Sequence, residues 1–297
     1  MKCTIAVAQI DCVLSDLAAN VRKHVEVIRK ARDGGADLVV FPELSLSGYS
    51  IRDSNWDLAI RVDSAARIKA IVDESAEISV LFGGIEESDE YGIYNAAFLA
   101  EKGSLRSVHR KTYPPTYGMF EELRYFSPGK TVRAFESSIG RLGVLVCEDL
   151  WHLSLPYILA EDGAEVIIAI AAGPSRMSGP EGIAPIARLN SEHHRTYARL
   201  LSTYLIYCNR VGIEDGVSFW GGSEIVAPGG ELLAQAKLFE EDLIFAELDS
   251  NEVRRARRFS RHILDDEIAL VGREIRRIEH EREKIAGARK DNGASSS

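Results

Sequence analysis

The chain has 297 residues, of which 45% are hydrophobic and 27% charged, as in an ordinary globular protein. A net charge of −9 argues against a nucleic-acid partner, and no stretch reaches the roughly 20 apolar residues of a membrane-spanning helix. Because the N-terminus lacks a secretory apolar core and the four cysteines are widely spaced, we expect a cytoplasmic protein without a disulfide framework.

The first part of the chain alternates strand-like and helix-like segments. Residues 3–11 read as a strand, and apolar residues at helical spacing predict a helix over 16–32. Gly34-Gly35 ends that helix. The segments that follow are a strand at 37–43, a helix at 57–75, and strands at 78–86, 93–100 and 105–111.

The second part begins with a loop at 112–130 that is rich in aromatic residues, proline and glycine, and loops of this length in a compact domain are usually functional or disordered. Its five aromatic side chains favour an ordered loop that forms a wall over a disordered one. Strands and helices alternate again, yet tight turns join several neighbouring strands, so we expect an α/β fold with mixed sheets. The remaining predicted elements are strands at 131–136, 141–147, 165–171, 204–211, 223–227, 231–236 and 243–248, helices at 152–161 and 187–201, and a loop at 172–185.

The C-terminal part differs in composition from the main domain, which we place at 1–250. Residues 251–286 combine a basic segment with an amphipathic helix, and residues 287–297 read as a disordered tail. The helix carries a heptad seam, which either packs on its own domain or contacts another subunit. The seam residues are Leu264, Ile268, Val271, Ile275 and Ile278.

Three strand-like runs lead into chemically useful side chains, namely Glu43, Lys111 and Cys147. Ligands of open α/β sheets bind beyond the carboxyl ends of strands. A thiol is a weak nucleophile until it loses its proton, and the adjacent Glu148 and Asp149 would raise its pKa by charge. Glu43 can act as the base, because apolar surroundings make a carboxylate a better proton acceptor, and Lys111 can act as the cation.

Each of these residues also has a purely structural interpretation. Cys147 can be a buried structural cysteine, Glu43 a solvated carboxylate at a strand end, and Lys111 part of a solvated basic patch. His193 and His194 are adjacent on a predicted helix and point about 100° apart, so they do not favour a metal site. The arginines of the basic segment are best explained as a salt-bridged surface in an acidic chain.

The three motifs together resemble the Glu–Lys–Cys motifs of the nitrilase, or carbon–nitrogen hydrolase, superfamily. Within it, the chain is most similar to the glutamine-amidase domain of glutamine-dependent NAD⁺ synthetases. This resemblance implies a four-layer α-β-β-α sandwich with mixed sheets, a homodimer or higher homo-oligomer, and no metal or organic cofactor. The motifs are Phe41-Pro-Glu43, His109-Arg-Lys111-Thr-Tyr and Cys147-Glu-Asp, and the narrower likeness lies in 111–126, 147–151, 209–212 and 219–223.

The resemblance also implies roles for particular residues. Glu43 would be the general base, Cys147 the nucleophile, and Lys111 with the backbone N–H of Glu148 the oxyanion stabilisers. Glu122, with Glu121 as its rival, would orient the lysine and the substrate.

The positions that contact glutamine in the family are Tyr117, Glu148 and Gly173. Gly173 stands where the family has a serine, so glutamine itself is not the first expectation. The sequence contains no S-G-G-x-D-S nucleotide loop, so we do not expect a complete NAD⁺ synthetase.

We therefore expect a thiol-dependent hydrolase that cleaves a small linear carboxamide to an acid and ammonia through a Cys147 thioester. Two alternatives stay open. One is the hydrolysis of an N-carbamoyl compound, and the other is a glutaminase-type subunit that supplies ammonia to a separate synthetase. The expected partner in the primary interpretation is only the small amide substrate.

Overall fold

The computed structural model describes residues 2–175 and 184–294. The strands of this part are β1 Lys2–Gln9, β2 Leu38–Val40, β3 Ser79–Glu87, β4 Ile93–Glu101, β5 Ser104–Arg110, β6 Phe135–Ser137, β7 Gly140–Val146, β8 Val166–Ala171, β9 Tyr204–Asn209, β10 Val211–Glu214, β11 Val217–Trp220, β12 Glu224–Val226, β13 Leu232–Gln235 and β14 Asp242–Asp249. The α-helices are α1 Leu17–Asp33, α2 Asn55–Leu58, α3 Lys69–Glu74, α4 Glu122–Tyr125, α5 Ser154–Glu161, α6 Ala184–Leu201, α7 Ser250–Phe259, α8 His262–Asp265 and α9 Ile268–Ala294.

Two six-stranded sheets form the centre of the molecule. The first has the order β14-β1-β2-β3-β4-β5, and the second has the order β13-β12-β9-β8-β7-β6. In the first sheet β1, β2 and β3 run parallel, and in the second β7, β8 and β9 run parallel, while the outer pairs are antiparallel. Both sheets are therefore mixed, as the tight turns of the sequence predicted.

The alternation of side chains along the strands creates the layers. In β1, Ile5 and Val7 enter the apolar core between the two sheets, whereas Ala6 and Ala8 enter the core that lies against α1 and α3. A third core lies between the second sheet and helices α5 and α6, where Leu159 contributes from α5. The order helix, sheet, sheet, helix confirms the predicted α-β-β-α sandwich.

This architecture places each of the three motif residues shortly after the end of a strand. Glu43 lies in the loop after β2, Lys111 directly follows β5, and Cys147 directly follows β7. The strands β2 and β5 belong to one sheet and β7 to the other. The site is thus assembled across the interface between the two sheets.

The predicted helix at 57–75 is wrong as a single element. The structure has α2, then a 3₁₀ helix at Val62–Ile68, then α3. The interruption has a clear cause, because the backbone of Ile60 pairs with the strand β3. The N–H of Ile60 donates to the Ile85 carbonyl at 2.8 Å, and the N–H of Glu87 donates to the Ile60 carbonyl at 3.0 Å.

The predicted strand at 204–211 is also divided. It forms β9 and β10, and β10 pairs with β11, a hairpin that the sequence did not predict. The division falls at Arg210, whose buried guanidinium donates to Glu214 at 2.6 Å and stacks 4.3 Å from the ring centre of Phe219. The predicted strand at 131–136 is reduced to β6. The middle of the predicted loop at 172–185 lies outside the described residues.

The predicted C-terminal seam is divided, because Leu264 lies on α8 and the other four residues lie on α9. Leu264, Ile268, Ile275 and Ile278 are at least 40% exposed, whereas Val271 is half-buried, so contact with another subunit stays as a prediction. Helix α9 continues to Ala294, although the sequence predicted a disordered tail from 287. The rest of that tail, 295–297, lies outside the described residues. Within the described part, no helix combines the length and apolarity needed to cross a membrane.

Gly83 lets the loop that carries Glu43 pass close to β3. A Cβ atom at this position would lie 2.3 Å from the Pro42 carbonyl oxygen and 2.4 Å from the Leu44 backbone nitrogen. We therefore expect Gly83→Ala to lower the free energy of unfolding by about 1–3 kcal/mol, measured by chemical denaturation. Gly272→Ala is the control, since its Cβ would meet only the Arg276 side chain at 3.4 Å. Equal stability of Gly83→Ala and the wild type would contradict this account of the loop.

Candidate active site

Glu43 is completely buried, and both of its carboxylate oxygens are held by donors. Oε1 accepts hydrogen bonds from Lys111 Nζ at 2.8 Å and from Asn95 Nδ2 at 2.7 Å. Oε2 accepts from the backbone N–H of Ala172 at 2.8 Å. A buried carboxylate with three such donors has a fixed orientation, which a general base requires.

Lys111 is equally buried and lies between two carboxylates. Its backbone N–H donates to the Asn95 carbonyl at 2.8 Å, and its Nζ donates to Glu43 and to Glu122, each at 2.8 Å. Burial by itself lowers the pKa of this amine, but Glu122 and Glu43 outweigh it and hold the pKa of Lys111 well above its ordinary value. Lys111 is therefore a fixed ammonium group at neutral pH.

Glu122 comes from the first residue of α4, inside the aromatic loop. Its Oε1 accepts from Lys111 and from the Tyr49 hydroxyl, and its Oε2 lies 3.5 Å from Asn95 Nδ2. Burial raises the pKa of Glu122, and Lys111 opposes this rise. Glu121, the rival considered from the sequence, is exposed, so the structure brings Glu122 and not Glu121 to the lysine.

Cys147 occupies a turn where the sequence predicted a strand end. It begins a 3₁₀ helix, Cys147–Trp151, and its φ of 51° lies in the left-handed region that only a few non-glycine residues adopt. The Asp149 carboxylate stabilises this turn by accepting from the Val146 N–H at 3.2 Å. Of the four cysteines, Cys147 alone is not fully buried.

Asp149 also ties the cysteine turn to the chain that follows Lys111. Its Oδ1 accepts from the backbone N–H groups of Thr112 at 3.0 Å and Tyr113 at 2.9 Å, and its Oδ2 lies 3.2 Å from His109 Nε2. One completely buried carboxylate thus fixes Cys147 relative to Lys111.

The Cys147 thiol lies in the electrostatic field of this cluster. Burial raises its pKa well above the ordinary value, Glu43 and Glu122 raise it further, and Lys111 acts in the opposite direction. The resting group is therefore a neutral thiol, and a base would have to remove its proton before the sulfur could act as a nucleophile.

A cavity of about 160 Å³ opens beside the sulfur. The residues assigned to substrate binding from the sequence all line it, and they lie in different loops of the fold. The Tyr117 hydroxyl donates to Glu148 Oε2 at 2.7 Å, and the N–H of Gly173 donates to Asn209 Oδ1 at 2.8 Å. A Cβ at position 173 would lie 3.1 Å from Trp220 Nε1, so a serine here would require the indole of Trp220 to move by a few tenths of an ångström.

Sequence reasoning missed three members of the site, Tyr49, Asn95 and Asp149. Asn95 contacts Glu43 from β4, and Tyr49 contacts Glu122 from a loop, so no local sequence pattern identifies either residue. The sequence could have indicated Asp149, because it lies two residues after Cys147. Among residues 2–175 and 184–294, no group of three or more His, Cys, Asp and Glu side chains is arranged to hold a metal ion.

Comparisons with known proteins match most of the chain. The family model described as Carbon-nitrogen hydrolase matches residues 4–258. The glutamine-dependent NAD(+) synthetase of Thermotoga maritima is 32% identical over 252 residues, which cover 84% of this chain and 42% of that protein. The chain thus spans less than half the length of this curated relative.

Solved structures show the same fold. A carbon-nitrogen hydrolase from Helicobacter pylori matches with a TM-score of 0.82 and 25% identity, over 93% of this chain and 99% of that one. A glutamate-to-glutamine mutant of the amidase of Nesterenkonia sp. AN1, with the acetamide moiety of fluoroacetamide added covalently at its active site cysteine, matches with a TM-score of 0.73 and 25% identity, over 92% of this chain and 96% of that one.

The neutral resting thiol leads to a test of the base. Glu43→Gln removes the proton acceptor, but it also removes a negative charge that raises the pKa of Cys147. Because burial, the largest cause of the raised pKa, remains, we expect the loss of the acceptor to dominate and to slow the alkylation of Cys147 by iodoacetamide at pH 7 by about 100-fold or more. Labelling of the variant should increase as the pH rises and the thiolate becomes populated. The rates are measured by peptide mass spectrometry.

The matched control is Glu77→Gln, which removes an exposed carboxylate that is distant in sequence from both Glu43 and Lys111. It should label at the wild-type rate. Equal labelling of Glu43→Gln and the wild type at pH 7 would contradict the role of Glu43 as the base.

Proposed function

Because the chain belongs to the carbon–nitrogen hydrolase family and is an enzyme of that class, we propose that it hydrolyses a small linear carboxamide to a carboxylic acid and ammonia. The observation that carries the proposal is the buried cluster of Glu43, Lys111 and Glu122 beside the Cys147 thiol. The cluster offers one proton acceptor and one fixed cation to one nucleophile, which are the groups that acyl transfer requires.

The first half of the reaction forms a thioester. Glu43 takes the proton of the Cys147 thiol as the sulfur attacks the amide carbon, and the carbon–oxygen double bond opens to an oxyanion. The Lys111 ammonium and the backbone N–H of Glu148 stabilise this negative oxygen. The carbon–nitrogen bond then breaks, Glu43 returns its proton to the nitrogen, and ammonia leaves an acyl-cysteine.

The second half regenerates the enzyme. Glu43 takes a proton from water as the water oxygen attacks the thioester carbon, and the same two donors stabilise the second oxyanion. The carbon–sulfur bond breaks, the sulfur receives the proton from Glu43, and the carboxylic acid is released. Lys111 keeps its proton throughout, because two carboxylates hold its pKa well above the ordinary value.

The size of the cavity and one relative support an amide of low molecular weight. A volume of about 160 Å³ lies below the roughly 300–1,000 Å³ of pockets that hold drug-sized ligands. A glutamate-to-glutamine mutant of the amidase of Nesterenkonia sp. AN1 carries the acetamide moiety of fluoroacetamide on its active site cysteine. Both observations favour a small amide beside Cys147.

A glutaminase-type subunit that supplies ammonia to a separate synthetase is the second candidate. It is favoured by the hydrogen bond between Tyr117 and Glu148, which match glutamine-contacting positions, and by similarity to NAD(+) synthetases. Gly173 weighs against it, since the serine of the family is replaced here. Activity that requires an added partner protein would distinguish this candidate from a free-standing amidase.

We also propose a cytoplasmic location and self-association. The four cysteines are free thiols, which suits a reducing compartment. The exposed seam of Ile268, Ile275 and Ile278 offers an apolar surface to a second copy.

Mass spectrometry of the trapped acyl-enzyme tests the function directly. After rapid acid quenching with a panel of short amides, the Cys147 peptide should gain the mass of the acyl group, and ammonia should be released in equal amount to the acid. Cys147→Ala should show neither product. Release of carbon dioxide with the ammonia would instead indicate an N-carbamoyl substrate, and full amidase activity of Cys147→Ala would refute the mechanism.

A further inference from the structure

A buried ion pair lies at the start of the hairpin β10–β11, outside the catalytic cluster. The guanidinium of Arg210 donates to Glu214 Oε2 at 2.6 Å and to the Cys12 carbonyl at 3.3 Å, and it lies 3.4 Å from Asp11 Oδ1. The side chains of Arg210 and Glu214 are 0% and 3% exposed. Because buried charges are stable only when they are paired and hydrogen-bonded, Arg210 fixes the Glu214 carboxylate.

The other oxygen of Glu214 holds the loop that carries Glu43. Oε1 accepts from the backbone N–H groups of Tyr49 at 2.8 Å and Ser50 at 2.6 Å. Gly48, with a φ of 80°, lets the chain approach the carboxylate, since a Cβ there would lie 2.7 Å from Glu214 Oε2. Successive backbone N–H groups that point at one anion fix its position. The pair therefore also fixes the backbone of Tyr49.

Tyr49 connects this loop to the catalytic cluster. Its ring packs edge-on against Phe219 of β11 and against Phe120, with ring centres 6.1 Å and 6.4 Å apart. Its hydroxyl donates to Glu122 Oε1, the same oxygen that accepts from Lys111 Nζ at 2.8 Å. The hairpin thus contacts both the backbone and the ring of the tyrosine that holds Glu122.

We propose that Glu214 is a positioning residue of the active site, which fixes Tyr49 so that the Tyr49 hydroxyl holds the Glu122 carboxylate against Lys111. Glu214 acts from a hairpin that belongs to neither six-stranded sheet, and it has no part in the steps of the mechanism above. This inference rests on the proposed function and adds to it the support of the catalytic cluster.

The charge of Glu122 depends on the contact with Tyr49. Burial raises the pKa of Glu122, Lys111 lowers it, Glu43 raises it, and the Tyr49 hydroxyl lowers it, while the neighbouring Cys147 is a neutral thiol. The hydroxyl stays a donor, because burial and Glu122 raise the pKa of Tyr49 well above its ordinary value. Loss of the hydroxyl raises the pKa of Glu122 further, so that this carboxylate takes up its proton at a higher pH.

Tyr49→Phe tests the contact, because it keeps the ring and removes only the hydroxyl. With propanamide as substrate, ammonia release at pH 7 should fall about tenfold. The acid limb of the pH–rate profile should move to higher pH, and the rate should approach that of the wild type at alkaline pH, where Glu122 is ionised. Tyr91→Phe, which alters an exposed tyrosine, should keep the wild-type profile. An unchanged acid limb in Tyr49→Phe would overturn the inference.

A double-mutant cycle tests whether Glu214 acts through Tyr49. Glu214→Gln should lower the rate and move the acid limb in the same direction, but it should cause no further loss when combined with Tyr49→Phe, since the hydroxyl is then already absent. Losses that multiply in the double variant would contradict the proposal. Thermal unfolding checks each protein, and Arg210→Lys, which keeps both charges but lacks the planar guanidinium, replaces Glu214→Gln in the cycle if that variant does not fold.

Failure of the amidase function gives a different result, since the wild type would then release no ammonia from any short amide. In that case the pH profile is measured by the alkylation of Cys147 with iodoacetamide, which needs no substrate. The same displacement is expected, because a protonated Glu122 leaves Glu43 as the counter-ion of Lys111 and makes Glu43 a poorer base. An alkylation profile of Tyr49→Phe identical to that of the wild type would then overturn the inference.

Discussion

The structure depends on one ammonium group buried between two carboxylates. Lys111 lies 2.8 Å from Glu43 and 2.8 Å from Glu122, and none of the three side chains is more than 5% exposed. Charges this far from water are stable only when each is paired and hydrogen-bonded. The lysine therefore holds both glutamates in position, and the glutamates keep the lysine protonated.

The surroundings of Cys147, the proposed nucleophile, favour a neutral thiol. Burial raises the pKa of this thiol well above the ordinary value, and Glu43 and Glu122 raise it further, whereas Lys111 acts in the opposite direction. In the proposed mechanism Glu43 therefore takes the proton as the sulfur attacks, so that negative charge develops on the substrate oxygen rather than on the sulfur.

The sequence predicted the parts of the site that have a local signal. Glu43, Lys111 and Cys147 each end a strand-like run, and the resemblance to a known family indicated Glu122. The same resemblance implied the four-layer sandwich, whereas the alternation of predicted strands and helices, with tight turns between some strands, indicated mixed sheets. The strand-like runs and the turns depend on neighbours in the chain, and local patterns therefore contain them.

What the sequence could not predict depends on contacts between distant segments. Asn95 is one residue in the middle of an apolar strand, and only the fold shows that its amide reaches Glu43. The helix predicted at 57–75 is interrupted because Ile60 pairs with a strand that is distant in sequence. No sequence pattern links His194 with Glu224, and only the packing of α6 on β12 shows that they form a pair.

The central claim is that catalysis requires the charge of Lys111. The most direct measurement compares ammonia release by Lys111→Met with that by the control Lys130→Met, which alters an exposed lysine. A loss of about 100-fold to 1,000-fold in Lys111→Met alone is the result we expect, whereas a folded Lys111→Met enzyme with the wild-type rate would contradict the account.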